Sequence, residues 1–196
     1  NLERHLKHLC QYGVPVVVAV NRFADDSEED LNSIVEFANA FGATGVVANP
    51  WGGGGEGCAD LAKVVEEVAE GQTMTRLYDQ DASFDQKVQT IVEQVYGGDG
   101  FVLDTAAKRR LRWLKKQGLD KLPVCMAKTQ SSLSDNPKAK NAPVDFEVRI
   151  SEIRPSAGAG FLVAIAGDML LMPGLGKDPA AKRINVNNDG EIDGLT

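Results

Sequence analysis

A chain of 196 residues with 43% hydrophobic content holds enough apolar material for a core in one domain or two small ones, and disorder is not indicated. Its formal net charge of -7 argues against a surface built to wrap phosphodiester backbones, so no nucleic acid is expected as a partner. No apolar run reaches the roughly eighteen residues of a membrane helix, and the widely spaced Cys10, Cys58 and Cys125, with no CxxC pair, suit free thiols in a reducing, cytoplasmic setting.

The chain opens on Asn1 inside a helical pattern and without an initiator methionine, which keeps open the reading that it is a piece of something longer. Leu2 to Tyr12 has helical apolar spacing, ended by Gly13 and Pro15. Val14 to Val20 is an almost unbroken run of small and β-branched residues, the pattern of a strand covered on both faces in a parallel sheet. Ser27 and Asp30 have capping-box spacing, and Leu31, Ile34, Val35, Ala38 and Phe41 continue a helical stripe until Gly42 stops it. Thr44 to Ala48 reads as a second buried strand, followed by a glycine-rich loop and a helix carrying Leu61, Val64, Val65 and Val68. This order is that of a right-handed α/β unit.

Met74 to Tyr78 reads as a further short strand, and Phe84, Val88, Ile91, Val92 and Val95 form a helical stripe ending at Gly97-Gly98. The domain boundary is set there, giving an α/β domain over 1–98 and a smaller mixed α+β domain over 99–196. In the second domain Asp104 is expected to cap a helix reaching Gln117, with Ala107, Leu111 and Leu114 inward and the cations from Lys108 to Lys116 mostly outward. Leu122 to Ala127, Phe146 to Ile150 and Phe161 to Ala166 read as strands, and Cys125 as part of the core. A long polar loop fills Lys128 to Val144, and the tail from Pro173 reads as largely irregular.

Two aromatic residues follow the two parallel strands, Phe23 after the first and Trp51 after the second. Ligands of open α/β sheets sit just beyond the carboxyl ends of strands, so two rings there could sandwich a flat heterocycle; packing of two large side chains under a loop is the competing reading. Gly52 to Gly57 lies between a strand and a helix, where bare backbone lets a ligand approach, or where a tight connection needs no more explanation than that. It is not GxxxxGK[ST]. His5 and His8 at helical spacing lack a nearby third metal ligand. Asn185 to Gly190 departs from a calcium loop at its first position and again at Thr196, and reads as a turn.

Taken together, Val16-Val-Val-Ala-Val-Asn-Arg-Phe, Asn49-Pro-Trp-Gly-Gly-Gly-Gly-Glu-Gly, Cys125-Met-Ala-Lys-Thr-Gln-Ser-Ser-Leu-Ser, Ser156-Ala-Gly-Ala-Gly-Phe, Met172-Pro-Gly-Leu and Gly190-Glu-Ile-Asp-Gly-Leu resemble formate-tetrahydrofolate ligase. The resemblance implies parallel-sheet βα units in a P-loop-NTPase-like context, followed by a smaller mixed domain. It implies a reaction in which formate, tetrahydrofolate and ATP give 10-formyltetrahydrofolate, ADP and phosphate by way of formyl phosphate, with Mg²⁺ at the phosphates and room for a monovalent cation. It further implies a homotetramer, and an amino-terminal part bearing the Walker-type loop that this sequence lacks, so that the chain corresponds to the carboxy-terminal third. Residue by residue, it places Phe23 and Trp51 on the folate pterin, or on adenine in a product-like state, with Asn21, Pro50, Gly52, Gly53, Gly54 and Gly55 shaping the pocket wall. No catalytic acid or base is carried over, and Lys128 is left between an anion contact and a structural ion pair. Two rival readings are an assembly module without ligand binding of its own and a free-standing nucleotide-binding domain.

Overall fold

The structure, a computed structural model, describes residues 1–167, 169 and 178–194. The first helix, α1 (Leu2–Leu9), buries Leu6 and runs into a 3-10 turn over Cys10–Tyr12 that Gly13 closes in the left-handed region. Strand β1 (Val17–Asn21) pairs in parallel with β2 (Thr44–Ala48), Val17 opposite Thr44 and Asn21 opposite Ala48. Between them runs α2 (Glu28–Ala40), whose start is written locally: the Ser27 hydroxyl accepts from the Asp30 amide at 3.1 Å, and Glu28, Glu29 and Asp30 sit at the positive end of the helix dipole.

The two strands are less covered than a doubly buried parallel sheet would be. Only Val20 of β1 and Ala48 of β2 are buried, because the sheet is two strands wide and packs against α2 and α4 (Ala59–Ala69) alone. Helix α4 itself buries none of its residues, and Val65 of its apolar stripe is exposed.

Met74 to Tyr78 is not a strand. The segment offers one backbone bond, Thr75 amide to Tyr12 carbonyl at 2.8 Å, and no ladder forms along it. Next, α5 (Phe84–Thr90) opens with a full capping box: Ser83 Oγ accepts from the Gln86 amide and Gln86 Oε1 accepts from the Ser83 amide. It continues as a π-helical turn over Ile91–Tyr96 and stops at Gly97, φ +79°. The Arg4 guanidinium fills the space that a side chain at Gly97 would take and donates to the Glu93 and Gln94 carbonyls at 3.0 and 3.5 Å, tying α1 to the end of this helix.

A mixed sheet of order β3-β5-β6-β4 follows, from β3 (Gly100–Leu103), β4 (Val124–Ala127), β5 (Glu147–Ser156) and β6 (Phe161–Ala166). β3 with β5 and β4 with β6 are parallel, whereas β5 with β6 is antiparallel, with an irregularity between Ile150 and Glu152. Its core joins Phe84, Val88 and Val92 to Ala107, Leu111 and Leu114 of α6 (Thr105–Lys116) and to Val148, Ile150, Ile153, Leu162, Ala164 and Ala166 of the sheet. Grouped by packing, the helix from Phe84 to Tyr96 goes with this second sheet, so a boundary at residue 98 separates it from the strands it covers.

Two further readings change. Asp104 precedes α6 but its side chain makes no cap; both its oxygens take the Arg149 guanidinium, at 2.8 and 2.9 Å, which holds the carboxyl below its usual pKa range. Cys125 is exposed, since β4 is an edge strand and alternate residues face outward. The described part of the tail is largely irregular, as expected, apart from a 3-10 turn and the short hairpin of β7 (Asn185–Val186) and β8 (Ile192–Asp193), whose turn is held by Asn187 Oδ1, which accepts from the Asp189 and Glu191 amides. Met172-Pro-Gly-Leu, residues 173–177 and Thr196 lie outside the described residues. The chain is an α/β fold, with a two-stranded parallel βα unit followed by a four-stranded mixed sheet.

Phe84 has no exposed surface and sits at the centre of the second core. Phe84→Ala is expected to lower the unfolding free energy by roughly 3–5 kcal/mol, whereas Val102→Ala on the half-exposed strand β3 costs under about 1 kcal/mol. Urea denaturation monitored by circular dichroism reads both.

Candidate functional site

The parallel register sets Asn21 beside Ala48, so the chain leaves β1 and β2 at one common edge. Past that edge Arg22 adds one more rung, its amide donating to the Ala48 carbonyl at 2.9 Å. The Arg22 guanidinium then takes both carboxylate oxygens of Glu28, at 2.5 and 2.9 Å, pinning the strand end to the first turn of α2 and holding the Glu28 carboxyl below its usual range. Phe23 comes next. Its amide donates to Asp26 Oδ2 at 2.7 Å and its carbonyl accepts from the Asp26 amide at 3.3 Å, so a tight turn fixes its backbone while the ring stands 60% exposed.

On the neighbouring strand the pivot is Asn49. Its Oδ1 accepts from the Gly52 amide at 2.9 Å, its amide donates to the Gly57 carbonyl at 2.8 Å, and its carbonyl accepts from the Gly53 amide at 3.0 Å. With Pro50 at the first helical position this makes a single turn, α3 (Pro50–Gly53), followed by a 3-10 turn over Glu56–Cys58. Trp51 projects from that turn with 88% of its surface exposed, the largest fraction of any large apolar side chain among the described residues. No ring contact joins it to Phe23, and loops of this chain cover neither residue.

The glycines divide by what constrains them. Gly54 adopts φ +52°, ψ -134°, a conformation open to glycine, and a Cβ at Gly57 would lie 2.1 Å from the Asn49 carbonyl oxygen. A Cβ at Gly52 would press on the Asn49 side chain that caps the turn. Gly53 and Gly55 are different: nothing lies within 4 Å of where their Cβ would be. Asn21 and Pro50, the other two residues assigned to the pocket wall, are both exposed at the same edge. Thus the structure brings Asn21, Phe23, Pro50, Trp51 and the glycine turn to one rim. An anion is poorly served by the start of α4, where Asp60 occupies the first turn and Glu56 precedes it.

Sequence reasoning missed the parts played by Asn49, Arg22 and Asp26. Asn49 could have been found, because Asn-Pro is a helix-start signal. The Arg22 to Glu28 pair spans six positions and carries no motif.

The remaining candidates resolve without a site. His5 and His8 meet edge to face at 5.6 Å, burial pushes the His8 pKa down, and no group of three or more metal-ligating side chains occurs among the described residues. Lys128 forms no ion pair: its ammonium donates to the Thr129, Ser132 and Ser134 carbonyls and lies 5.1 Å from the centre of the Tyr96 ring, so it organises the long loop. Burial depresses its pKa and pushes that of Tyr96 up to about 12. On α6, Lys115 pairs with Asp85 at 2.9 Å and Arg110 stacks on Trp113.

The model of the "Formate--tetrahydrofolate ligase" family matches residues 1–196. Among curated relatives, a protein described as "Formate--tetrahydrofolate ligase" from Leuconostoc citreum (strain KM20) is 46% identical over 196 residues, which is 100% of this chain and 35% of that protein. Another of the same description from Lactiplantibacillus plantarum (strain ATCC BAA-793 / NCIMB 8826 / WCFS1) is 44% identical over all of this chain and 36% of its own length. The chain therefore spans about a third of the length of the relatives it matches.

Gly57→Ala is expected to destabilise the protein by roughly 2 kcal/mol, because the new methyl group meets backbone that cannot turn aside. Gly53→Ala should change stability by no more than about 0.5 kcal/mol. Thermal unfolding of the two variants side by side checks the contrast.

Proposed function

This chain belongs to the formate-tetrahydrofolate ligase family, and we propose that within a whole ligase it supplies the wall on which the pterin of tetrahydrofolate stacks, between Phe23 and Trp51. The carrying observation is the pair of exposed rings at a shared strand-end edge, with no packing from this chain over either. An aromatic side chain of this kind can bury on the order of 150–250 Å², worth several kcal/mol at roughly 25 cal/mol per Å², and here most of that is left unrealised. A flat bicyclic ligand would recover part of it. Gly53 and Gly55, whose lack of side chains no contact within the chain requires, leave room for such a ligand to lie close to the backbone, and adenine could use the same faces in a product-like state.

The rest of the reaction is assigned to the remainder of the enzyme. ATP would supply the phosphoryl group that activates formate, and Mg²⁺ would offset charge at the phosphates. The described residues of this chain include no cluster of carboxylates fit to hold that ion, so we route no chemical step through them. Their part is to bind and orient the folate so that its N10 faces the activated formyl carbon. By itself the chain is expected to release no ADP in response to formate.

A second role rests on a separate observation. Helix α4 buries none of its residues, and Val65, Ile34 and Phe37 stand exposed on the helices that flank β1 and β2. These apolar surfaces suit docking against the amino-terminal part of the ligase and, in a homotetramer, against other subunits. The unpaired Cys10, Cys58 and Cys125 agree with a cytoplasmic setting.

Titrating tetrahydrofolate while recording tryptophan fluorescence tests the pterin wall. The expected quench is carried by Trp51 and disappears in Trp51→Ala, leaving Trp113 as a constant background, while Phe23→Ala weakens binding by roughly tenfold. An identical quench in Trp51→Ala removes Trp51 from the pocket and overturns the reading.

A further inference from the structure

The cavity of about 490 Å³ lies where residues 74–80, the π-helical turn Ile91–Tyr96 and the edge strand β4 converge. It shares no residue with Phe23, Trp51 or the glycine turn, and its volume falls in the range of small-molecule sites. The body of the wall is apolar and aromatic, with Met74, Tyr78, Ile91, Val95, Tyr96 and Met126 contributing. The wider i→i+5 turn is what brings Ile91, Val95 and Tyr96 together onto the cavity, and such turns recur at functional positions. Methionine thioethers suit an aromatic guest, since sulfur packs favourably at ring edges and the unbranched chain adapts to its shape.

Charge in the wall has one sign. Lys87 is wholly buried, and its ammonium donates to the carbonyls of Gln80 at 2.7 Å, Lys121 at 2.5 Å and Leu122 at 3.4 Å, with the Tyr78 ring 5.7 Å away. Its three hydrogens are satisfied by neutral oxygens, so its charge is solvated but not neutralised; Asp79, Asp81 and Asp120 act on it only at longer range. Arg76 at the rim donates to Gln80 Oε1 at 2.7 Å and has no carboxylate partner. No Asp or Glu lines the cavity. An apolar cleft with two cations and no acid favours an anion over a neutral or cationic guest of equal size.

We propose that this cavity is a second ligand site, which takes a small monoanion with a planar aromatic body, the rings lying among the Met and Tyr side chains and the anionic group meeting Arg76 at the rim.

The probe is 8-anilinonaphthalene-1-sulfonate, an aromatic monoanion whose fluorescence rises in apolar surroundings, titrated into the full-length protein that carries this chain. A saturable rise is expected that persists in Trp51→Ala, which separates this site from the folate wall. It should weaken about tenfold in Arg76→Gln, the loss of one charge-assisted contact, and vanish in Val95→Trp, where an indole occupies the cavity. The neutral N-phenyl-1-naphthylamine should bind about tenfold more weakly than the sulfonate. Equal titrations in wild type, Arg76→Gln and Val95→Trp would put the dye elsewhere and overturn the proposal, as would a neutral dye that binds as tightly as the anion. Arg76 is exposed, so Arg76→Gln keeps the fold and decides the matter even if the bulkier variant does not.

Discussion

The parallel pairing of two five-residue strands is the constraint on which the candidate site depends. Antiparallel strands would send their ends to opposite edges of the sheet; parallel strands send them to the same one. With Asn21 beside Ala48, the residues that follow are delivered to one rim whatever their identity, and the local chemistry then decides what stands there. On one side a bidentate ion pair and an Asp26 turn immobilise the backbone of Phe23. On the other, three hydrogen bonds around Asn49 shape the glycine turn that carries Trp51. Neither device touches the rings, which are held by their backbone and left bare at their faces.

Much of this was legible from the residues. The strand Thr44–Ala48 and the strand Phe161–Ala166 lie where apolar runs bounded by glycine place them, and Ala107, Leu111 and Leu114 face inward as their spacing requires. Ser27 caps α2 because short-range hydrogen bonding is written in adjacent letters. What was not legible depends on partners distant in sequence. Asp104 looks like a cap until Arg149, 45 positions on, competes for its carboxylate and wins with a charged bidentate contact. Cys125 looks like core until strand order makes β4 an edge, and Met74 to Tyr78 looks like a strand but makes a single backbone bond, to Tyr12. The apolar run of β1 suggested cover on both faces, but burial is a property of the neighbours and not of the run itself.

Two lysines show one solution used twice. Lys87 and Lys128 each lead their ammonium to three backbone carbonyls and set it near a tyrosine ring, Tyr78 for one and Tyr96 for the other. Carbonyl oxygens left over by loops thereby find donors, and segments that make few ladder bonds of their own are given a fixed point. Lys87 ties residue 80 to residues 121 and 122; Lys128 gathers 129, 132 and 134. In both cases burial disfavours the charged form, and both pKa values are lowered for that reason.

The meeting of Arg4 with Gly97 has a consequence for how such a sequence can drift. The guanidinium rests in the hollow that a methyl group would fill, and from there it reaches two carbonyls at the end of the π-helical turn. A change at either place acts on the other: a side chain at 97 displaces the guanidinium, and a shorter residue at 4 takes this donor from the Glu93 oxygen, while Gln11 Nε2 still reaches the Gln94 oxygen at 3.2 Å. The two positions, 93 apart along the polymer, are therefore coupled through one small hollow, and a substitution at the one changes what the other can accept.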